Sequence, residues 1–358
     1  MPLTVERIVS ECVGTSVRVV ARAVLADRRG RVERLSIEPR VDGVGSTVLV
    51  KSRRLRQWSV VSLATELAAL GALEAVGGEL SPRLLGWSEQ AGLLVMTDVG
   101  QRTLEQVLAE GDAGEAETAL IALASAVAAV HQVHLEHPLL TDHRTWMIGT
   151  HGIEWEALAA GVKRLGFPSA DRARPDAAAV VEALAHPGRS AAFVHGDITP
   201  DNAVIGGDGR CRLVDFEGAG RQHIGVDACM LRFPFAWYGR WAPVPASVQA
   251  AMEAAYRSGV DRSREEIDQA IALGCVAMTL LRLNRLALID DDGQEPSQAR
   301  RRRVQIVSTL EVAIDAATRT AMFPELVSWF ADLVEDMRRR WQEAALRPPV
   351  FPAFASGS

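Results

Sequence analysis

Phe193-Val194-His195-Gly196-Asp197-Ile198-Thr199-Pro200-Asp201-Asn202, followed ten residues later by Arg212-Leu213-Val214-Asp215-Phe216-Glu217, is the stretch on which the reading of this chain turns. Apolar residues precede each polar cluster, the pattern of a short strand that delivers a carboxylate to the lip of a cleft. Asp197 and Asn202 lie five apart, and Asp215 lies eighteen beyond Asp197. Any one of the three alone reads as a turn former, because Asp and Asn close turns with their own side chains. Their joint spacing, with His195 and the flanking apolar runs, favours a site.

A carboxylate, an amide and a second carboxylate across a hairpin suit phosphoryl transfer from a magnesium nucleotide. An incoming hydroxyl needs an acceptor for its proton, the metal needs hard oxygen ligands, and the phosphoryl oxygens need nearby cations. In that chemistry Asp197 is the expected base or hydroxyl-orienting group, and Asn202 and Asp215 are the expected magnesium ligands.

Outward from this stretch, the first hundred residues read as mostly strand. Ser16 to Leu25 is partly alternating and β-branched, Asp27-Arg28-Arg29-Gly30 breaks it, and Val32 to Ile37 completes a hairpin. Thr47-Val48-Leu49-Val50-Lys51 is a short strand ending in a lysine. An amphipathic helix follows, with Val60, Leu63, Leu67 and Leu70 at spacings of three and four and with Glu66 inside it. Leu84-Leu85-Gly86-Trp87 and Leu93-Leu94-Val95-Met96 are two further strands, before a turn at Thr97-Asp98-Val99-Gly100. Beyond it helix dominates: Thr103 to Ala109, the alanine-rich run Ala116 to His134, and most of the chain from Val248, including a face of Leu326, Phe330, Leu333, Met337 and Trp341. Pro348, Pro349 and Pro352 mark a loose C-terminal tail.

Composition narrows the classes. The 358 residues carry 48% hydrophobic and 23% charged side chains, enough for a sizeable core, and the length allows two domains or lobes. With 39 Lys+Arg against 45 Asp+Glu the formal charge is −6, which argues against a nucleic-acid or anionic-membrane partner. Cys12, Cys211, Cys229 and Cys275 are scattered, which fits a reducing cytoplasm and offers neither a disulfide frame nor a zinc site. No secretory signal is visible, and the longest nearly apolar run, Ala119 to Val130, is shorter than a membrane span, so a cytoplasmic protein is expected. Only two basic residues are lysines, Lys51 and Lys163, which directs attention to places where a compact ammonium is wanted.

H-x-D-x-x-x-x-N followed by an Asp-Phe step resembles the catalytic and metal loops of the protein-kinase-like superfamily. The form His195-Gly196-Asp197 with Asn202 and Asp215-Phe216-Glu217 is most similar to the aminoglycoside phosphotransferase/choline kinase branch, in which Gly usually replaces the Arg of protein kinases and an acidic residue replaces the Gly of D-F-G. Asp227 resembles that branch's structural aspartate after the metal loop, and Ala128 to His134 resembles its usual helix end. The resemblance implies an α+β bilobal fold: a nucleotide-binding lobe over 1–99, with a five-stranded antiparallel sheet and one helix, and a larger, mainly helical catalytic and substrate-binding lobe over 100–358. It further implies that Lys51 contacts the ATP phosphates, that Glu66 pairs with it, and that backbone groups of Met96, Thr97 and Asp98 hold the adenine. His195 and Asp227 are implied as structural supports of the loops.

The chain departs from the family in two places. It has no G-x-G-x-x-G, so the hairpin turn Ala26 to Arg31 is the expected phosphate-covering loop, and Gly220-Arg221-Gln222-His223 replaces the small residues often found after D-F-E. Glu74 is an alternative partner for Lys51 if the helix register slips. Asp201 reads as a solvated turn residue or as an assistant to the site. Arg300 to Arg303 reads as a solvated helix face, with a phosphate or acidic-partner patch as the alternative. The aromatic segment Arg232 to Trp241 reads as core or as a substrate lining.

The resulting expectation is an ATP- and Mg2+-dependent phosphotransferase acting on a hydroxyl of a small molecule such as an antibiotic, sugar or amino alcohol. A kinase of Ser or Thr in a biosynthetic peptide and a nucleotide-binding scaffold without turnover are the alternatives. Intact Lys51, Asp197, Asn202 and Asp215 speak against the scaffold. After Asn202 the chain carries twenty Asp/Glu against nineteen Lys/Arg, a balance that tilts the acceptor away from a polycation. The sequence leaves oligomeric state open.

Overall fold

The structure is a computed structural model that describes residues 4–27, 31–52, 59–77, 79–134, 137–141, 147, 152–233, 235, 242–290 and 295–357. Its first part is helix α1 (Val5–Val13), strands β1 (Arg18–Asp27), β2 (Arg31–Val41) and β3 (Gly45–Ser52), helix α2 (Ser59–Ala75), and strands β4 (Leu84–Ser88) and β5 (Leu93–Thr97). The five strands form one antiparallel sheet in the order β1-β2-β3-β5-β4.

The two faces of this sheet serve different purposes, as the strand period of two requires. Leu35, Ile37, Val48, Val50 and Val95 face outward and are covered by Ile8 and Val9 of α1. Leu49 and Met96 belong instead to the large core shared with α2 and the helical lobe. The sheet lobe therefore has two helices, where the sequence led to one. Helix α1 has only nine residues, started by the Thr4 hydroxyl, which accepts the Arg7 N–H. Its Glu6 carboxylate accepts the Val19 N–H at 2.8 Å, tying the helix to β1.

The helical lobe comprises β6 (Arg102–Thr103), α3 (Leu104–Glu110), α4 (Ala113–His131), α5 (Pro138–Thr141), α6 (Trp155–Arg164), α7 (Arg174–Ala185), strands β7 (Ala191–Val194), β8 (Ala203–Ile205), β9 (Cys211–Leu213) and β10 (Gly220–His223), then α8 (Gly225–Ala228), α9 (Ala246–Gly259), α10 (Arg264–Leu283), α11 (Leu286–Asp290), α12 (Pro296–Arg319) and α13 (Pro324–Arg340). Thr103 and Ser263 open α3 and α10 with capping boxes. The short strands pair as β6-β8-β9 and β7-β10, and they carry the polar stretch with which the sequence reading began.

Helix α4 starts earlier than the apolar run Ala119 to Val130 and is long and apolar enough, by length and composition, to cross a membrane; half of that window is buried inside the protein. It packs along α9, as a core helix does. The C-terminal tail also departs from the expectation of looseness. Phe351 and Ala353 are buried, and Phe351 meets Phe235 edge-on at 6.2 Å. Trp341 is buried just past the end of α13, where the Arg303 guanidinium lies over its ring.

Candidate active site

The buried stripe of α2 is Glu66, Ala69, Leu70 and Leu73, the i, i+3, i+4, i+7 set of a core-facing helix, with the glutamate at one end. Leu63 and Leu67, expected on the apolar line, are half-buried beside it. That register carries Glu66 under the sheet to Lys51, whose ammonium donates to Glu66 Oε1 at 2.7 Å and Oε2 at 2.9 Å. Glu74 is exposed, so the alternative register is not the one adopted. The same ammonium donates to Asp215 Oδ1 at 2.5 Å, bringing together three residues separated by up to 164 positions.

Asp215 sits at φ 67°, ψ 57°, a left-handed conformation that aims its carboxylate back toward the sheet lobe. The following Phe216 is fully buried between Phe193 and the His195 ring, at centroid distances of 6.2 and 4.5 Å. His195 links the two loops. Its Nε2–H donates to the Val214 carbonyl at 2.9 Å, and its Nδ1 accepts the Asp197 N–H at 3.2 Å, an arrangement that fixes the neutral tautomer.

Asp197 itself is half-buried. Asn202 donates its amide Nδ2–H to the Asp197 carbonyl at 3.0 Å and lies 3.5 Å from Asp197 Oδ2, while its own carbonyl accepts the Val214 N–H at 2.9 Å. With the amide nitrogen committed to Asp197, the amide oxygen is the donor Asn202 can give to a cation. An amide oxygen with the Asp215 carboxylate is a hard-oxygen set of the kind magnesium takes. Asp201 is exposed.

Gly196 completes the loop. Its φ is +84°, and a Cβ there would lie 2.4 Å from the Gly218 carbonyl oxygen, so the catalytic and metal loops meet backbone to backbone at this point. Below it, the buried Asp227 carboxylate accepts the His195 N–H at 2.7 Å and the Gly196 N–H at 2.9 Å. His131, at the end of α4, reaches Asp227 at 3.3 Å through Nε2 and faces the Tyr256 hydroxyl at 2.7 Å through Nδ1. Burial, followed by the Asp227 charge, pushes the Tyr256 hydroxyl pKa up, which keeps it a donor.

The segment expected to hold the base runs off β5. Met96 is buried opposite Leu49. Thr97 commits its N–H to the Arg83 carbonyl at 3.0 Å and its hydroxyl to the Arg83 N–H at 2.9 Å, which removes the Thr97 N–H from the groups available to a ligand. The Asp98 carboxylate accepts from Nε and Nη2 along one edge of the Arg34 guanidinium, at 2.7 and 3.1 Å.

Two residues at the site carried no individual sequence signal. Arg34 is one; the other is Gln222, on β10, almost fully buried, whose Nε2–H donates to the Gly218 carbonyl at 2.9 Å. A polar residue on an inward position of a short strand was the available clue, and it accounts for the departure after Glu217. His223 Nδ1 accepts the Gly225 N–H at 3.0 Å. Of the aromatic segment, Phe233 and Phe235 are fully buried core residues, while Pro234 and 236–241 lie outside the described residues. So do 28–30 of the expected phosphate-covering turn. Arg300 and Arg301 are exposed, but Arg303 is pinned, donating to the Ile289 carbonyl and to Glu343 at 3.2 and 3.1 Å.

Comparison with known proteins bears on the fold and the family. Among solved structures, the streptomycin–ATP–APH(2")-IIa ternary complex superposes with a TM-score of 0.51 at 12% identity, covering 80% of this chain and 91% of that one. ADP-bound aminoglycoside phosphotransferase APH(2'')-Ib gives 0.51 at 12% identity over 87% and 95%. Macrolide 2'-phosphotransferase MphH from Brachybacterium faecium gives 0.50 at 15% identity over 82% and 95%. These similarities show a kinase-like fold. No curated protein sequence matches the chain. Residues 39–267, from β2 to the first turn of α10, match the model of the phosphotransferase enzyme family, and Lys51, Glu66, Asp197, Asn202, Asp215 and Asp227 all lie within that span: the chain belongs to the phosphotransferase enzyme family.

Proposed function

We propose that this phosphotransferase moves the γ-phosphate of ATP to a hydroxyl group of a small molecule. The observation that carries the reading is the meeting of the Lys51 ammonium with the Glu66 and Asp215 carboxylates, next to Val214, whose N–H and carbonyl tie it to Asn202 and to His195 beside Asp197. Lys51, held by Glu66, presents a fixed positive charge to phosphate oxygens. Asp197, steadied by His195 and Asn202, takes the acceptor's hydroxyl hydrogen bond and then its proton. Asp215 and Asn202 would hold Mg2+, which when bound neutralises charge on the phosphates.

Two solved structures of this fold hold ATP or ADP, which supports the nucleotide donor. The macrolide and aminoglycoside enzymes among them, one holding streptomycin, support a small-molecule acceptor, and no finding favours a peptide. The near balance of acidic and basic residues after Asn202 supports an acceptor that is a neutral or weakly charged alcohol or sugar. Calorimetric titration of ATP with and without Mg2+, on the wild type and Asp215→Asn, tests the donor half. Magnesium-dependent binding that the variant loses is the expected result; a wild type that binds ATP in neither condition would remove the reading.

A further inference from the structure

Arg34, Leu49 and Met96 stand opposite one another on β2, β3 and β5, so all three share the cleft face of the sheet. Leu49 and Met96 are buried at 7% and 6% exposure and give that face an apolar floor. From the far side of β3, the Arg34 side chain reaches past this floor to the segment leaving β5. Its Nε and Nη2 donate to the two Asp98 oxygens, and Nη2 donates as well to the Gly100 carbonyl. Asp98 Oδ1 in turn accepts the Gly100 N–H at 3.3 Å. Both charged side chains are largely shielded, at 18% and 10% exposure.

Gly100 is also where this segment meets the helical lobe. A Cβ there would lie 2.9 Å from the Ile205 carbonyl oxygen and from a Val204 methyl group, so the chain passes directly over β8. Strand β8 starts at Ala203, immediately after Asn202. One guanidinium thus fastens the second strand of the sheet to a segment that rests on the strand behind Asn202. Only an arginine supplies a planar fork for the carboxylate and a further N–H for a carbonyl; a lysine is a single point charge.

We propose that Arg34 is a positioning residue for the nucleotide base. Through Asp98 and Gly100 it holds the backbone of 98–100 at the edge of the Leu49–Met96 floor, where the polar edge of a purine meets main-chain groups. This inference rests on the nucleotide-donor reading. It assigns Arg34 no contact with the phosphates, so its loss weakens every adenine nucleotide alike.

The test is calorimetry of ADP and AMP-PNP with Mg2+ on the full chain, for the wild type, Arg34→Gln, Arg34→Lys, Asp98→Asn and the Arg34→Gln/Asp98→Asn double variant. Arg34→Gln is expected to weaken ADP and AMP-PNP by the same factor, about tenfold, the scale of a lost charge-assisted hydrogen bond. The Mg2+ concentration giving half-maximal binding should stay where it is in the wild type. Arg34→Lys should recover part of the affinity, and the double variant should be no weaker than the worse single one, because both remove the same link. Wild-type affinity in a folded Arg34→Gln, or single-variant factors that multiply in the double, would overturn the inference while leaving the donor reading intact. A wild type that binds neither nucleotide would remove both. Thermal melts of each variant show whether it is folded, and should Arg34→Gln not fold, Arg34→Lys decides: unchanged affinity there refutes the clamp.

Discussion

Lys51 is one of two lysines among 39 basic residues, and its ammonium lies within 2.5–2.9 Å of oxygens from two carboxylates. A guanidinium keeps the charge but is broader and planar, so it does not fit a point contacted from both sides. Lys51→Arg should leave the protein folded and lower phosphotransfer steeply, by about a hundredfold or more, the scale of losing one preorganised electrostatic contact. Turnover at the wild-type rate would reduce Lys51 to a lysine at the end of a strand. Asp197 is argued differently, because its part is to take a proton rather than to hold a charge in place. Asp197→Asn keeps the size and the Asn202 contact to the Asp197 carbonyl but removes the proton acceptor. Nucleotide affinity should be retained and transfer should fall by about 10²–10⁴, measured by phosphate transfer at saturating nucleotide. At this scale the sequence was informative, since the spacing of Asp197, Asn202, Asp215, Lys51 and Glu66 is set by loop and helix geometry that the chain must satisfy locally. Arg34 and Tyr256 were not legible, because each acts through a partner more than 60 or more than 120 positions away and nothing in its own neighbourhood marks it, while Gln222 showed only as a polar residue on a short strand.

The elements that hold these residues were legible where periodicity is strong. All five sheet strands and the helix bearing Glu66 fall where alternation and three-to-four spacing put them. Helix α1 was not, since nine residues give only about two and a half turns of pattern and its stability comes from packing on the sheet. The crossing of α8 and α10 was equally invisible. There a Cβ on Gly274 would lie 2.0 Å from the Gly225 carbonyl oxygen, and one on Gly225 would lie 2.2 Å from that of Ala270. Two glycines let the backbones touch, and α8 carries Asp227, which holds the His195 and Gly196 N–H groups. Gly274→Ala must push α8 off α10. The cost of overpacking a buried contact is about 1–3 kcal/mol, so the melting temperature should drop by several degrees. Because Asp227 moves with α8, kcat should fall more than the loss of folded protein explains. Unchanged melting and activity would mean that the helices separate without disturbing the loop.

Across the whole molecule, the two lobes share one hydrophobic core. Leu49, Leu70, Leu73 and Met96 from the sheet lobe pack in the same cluster as Leu104, Leu120 and Phe216 from the helical lobe. The Lys51–Asp215 ion pair crosses this shared boundary, with Lys51 and Glu66 on one side and Asp215 on the other. The acceptor's chemistry was legible in the chain only as a tilt away from a polycation, because net charge does not place the side chains and the aromatic segment proves to be partly core. A shared core predicts that the lobes unfold together. A ligand bound between them then stabilises both, by about 2.7 kcal/mol at a concentration one hundred times its dissociation constant. Calorimetric scanning should therefore show a single transition, moved upward as one peak by ATP with Mg2+ and far less by ATP alone. Asp215→Asn should unfold near the wild-type temperature without ligand and lose the shift. Two transitions, only one of them moved by nucleotide, would show instead that the lobes are energetically separate and that the cleft binds its ligand mainly through one of them.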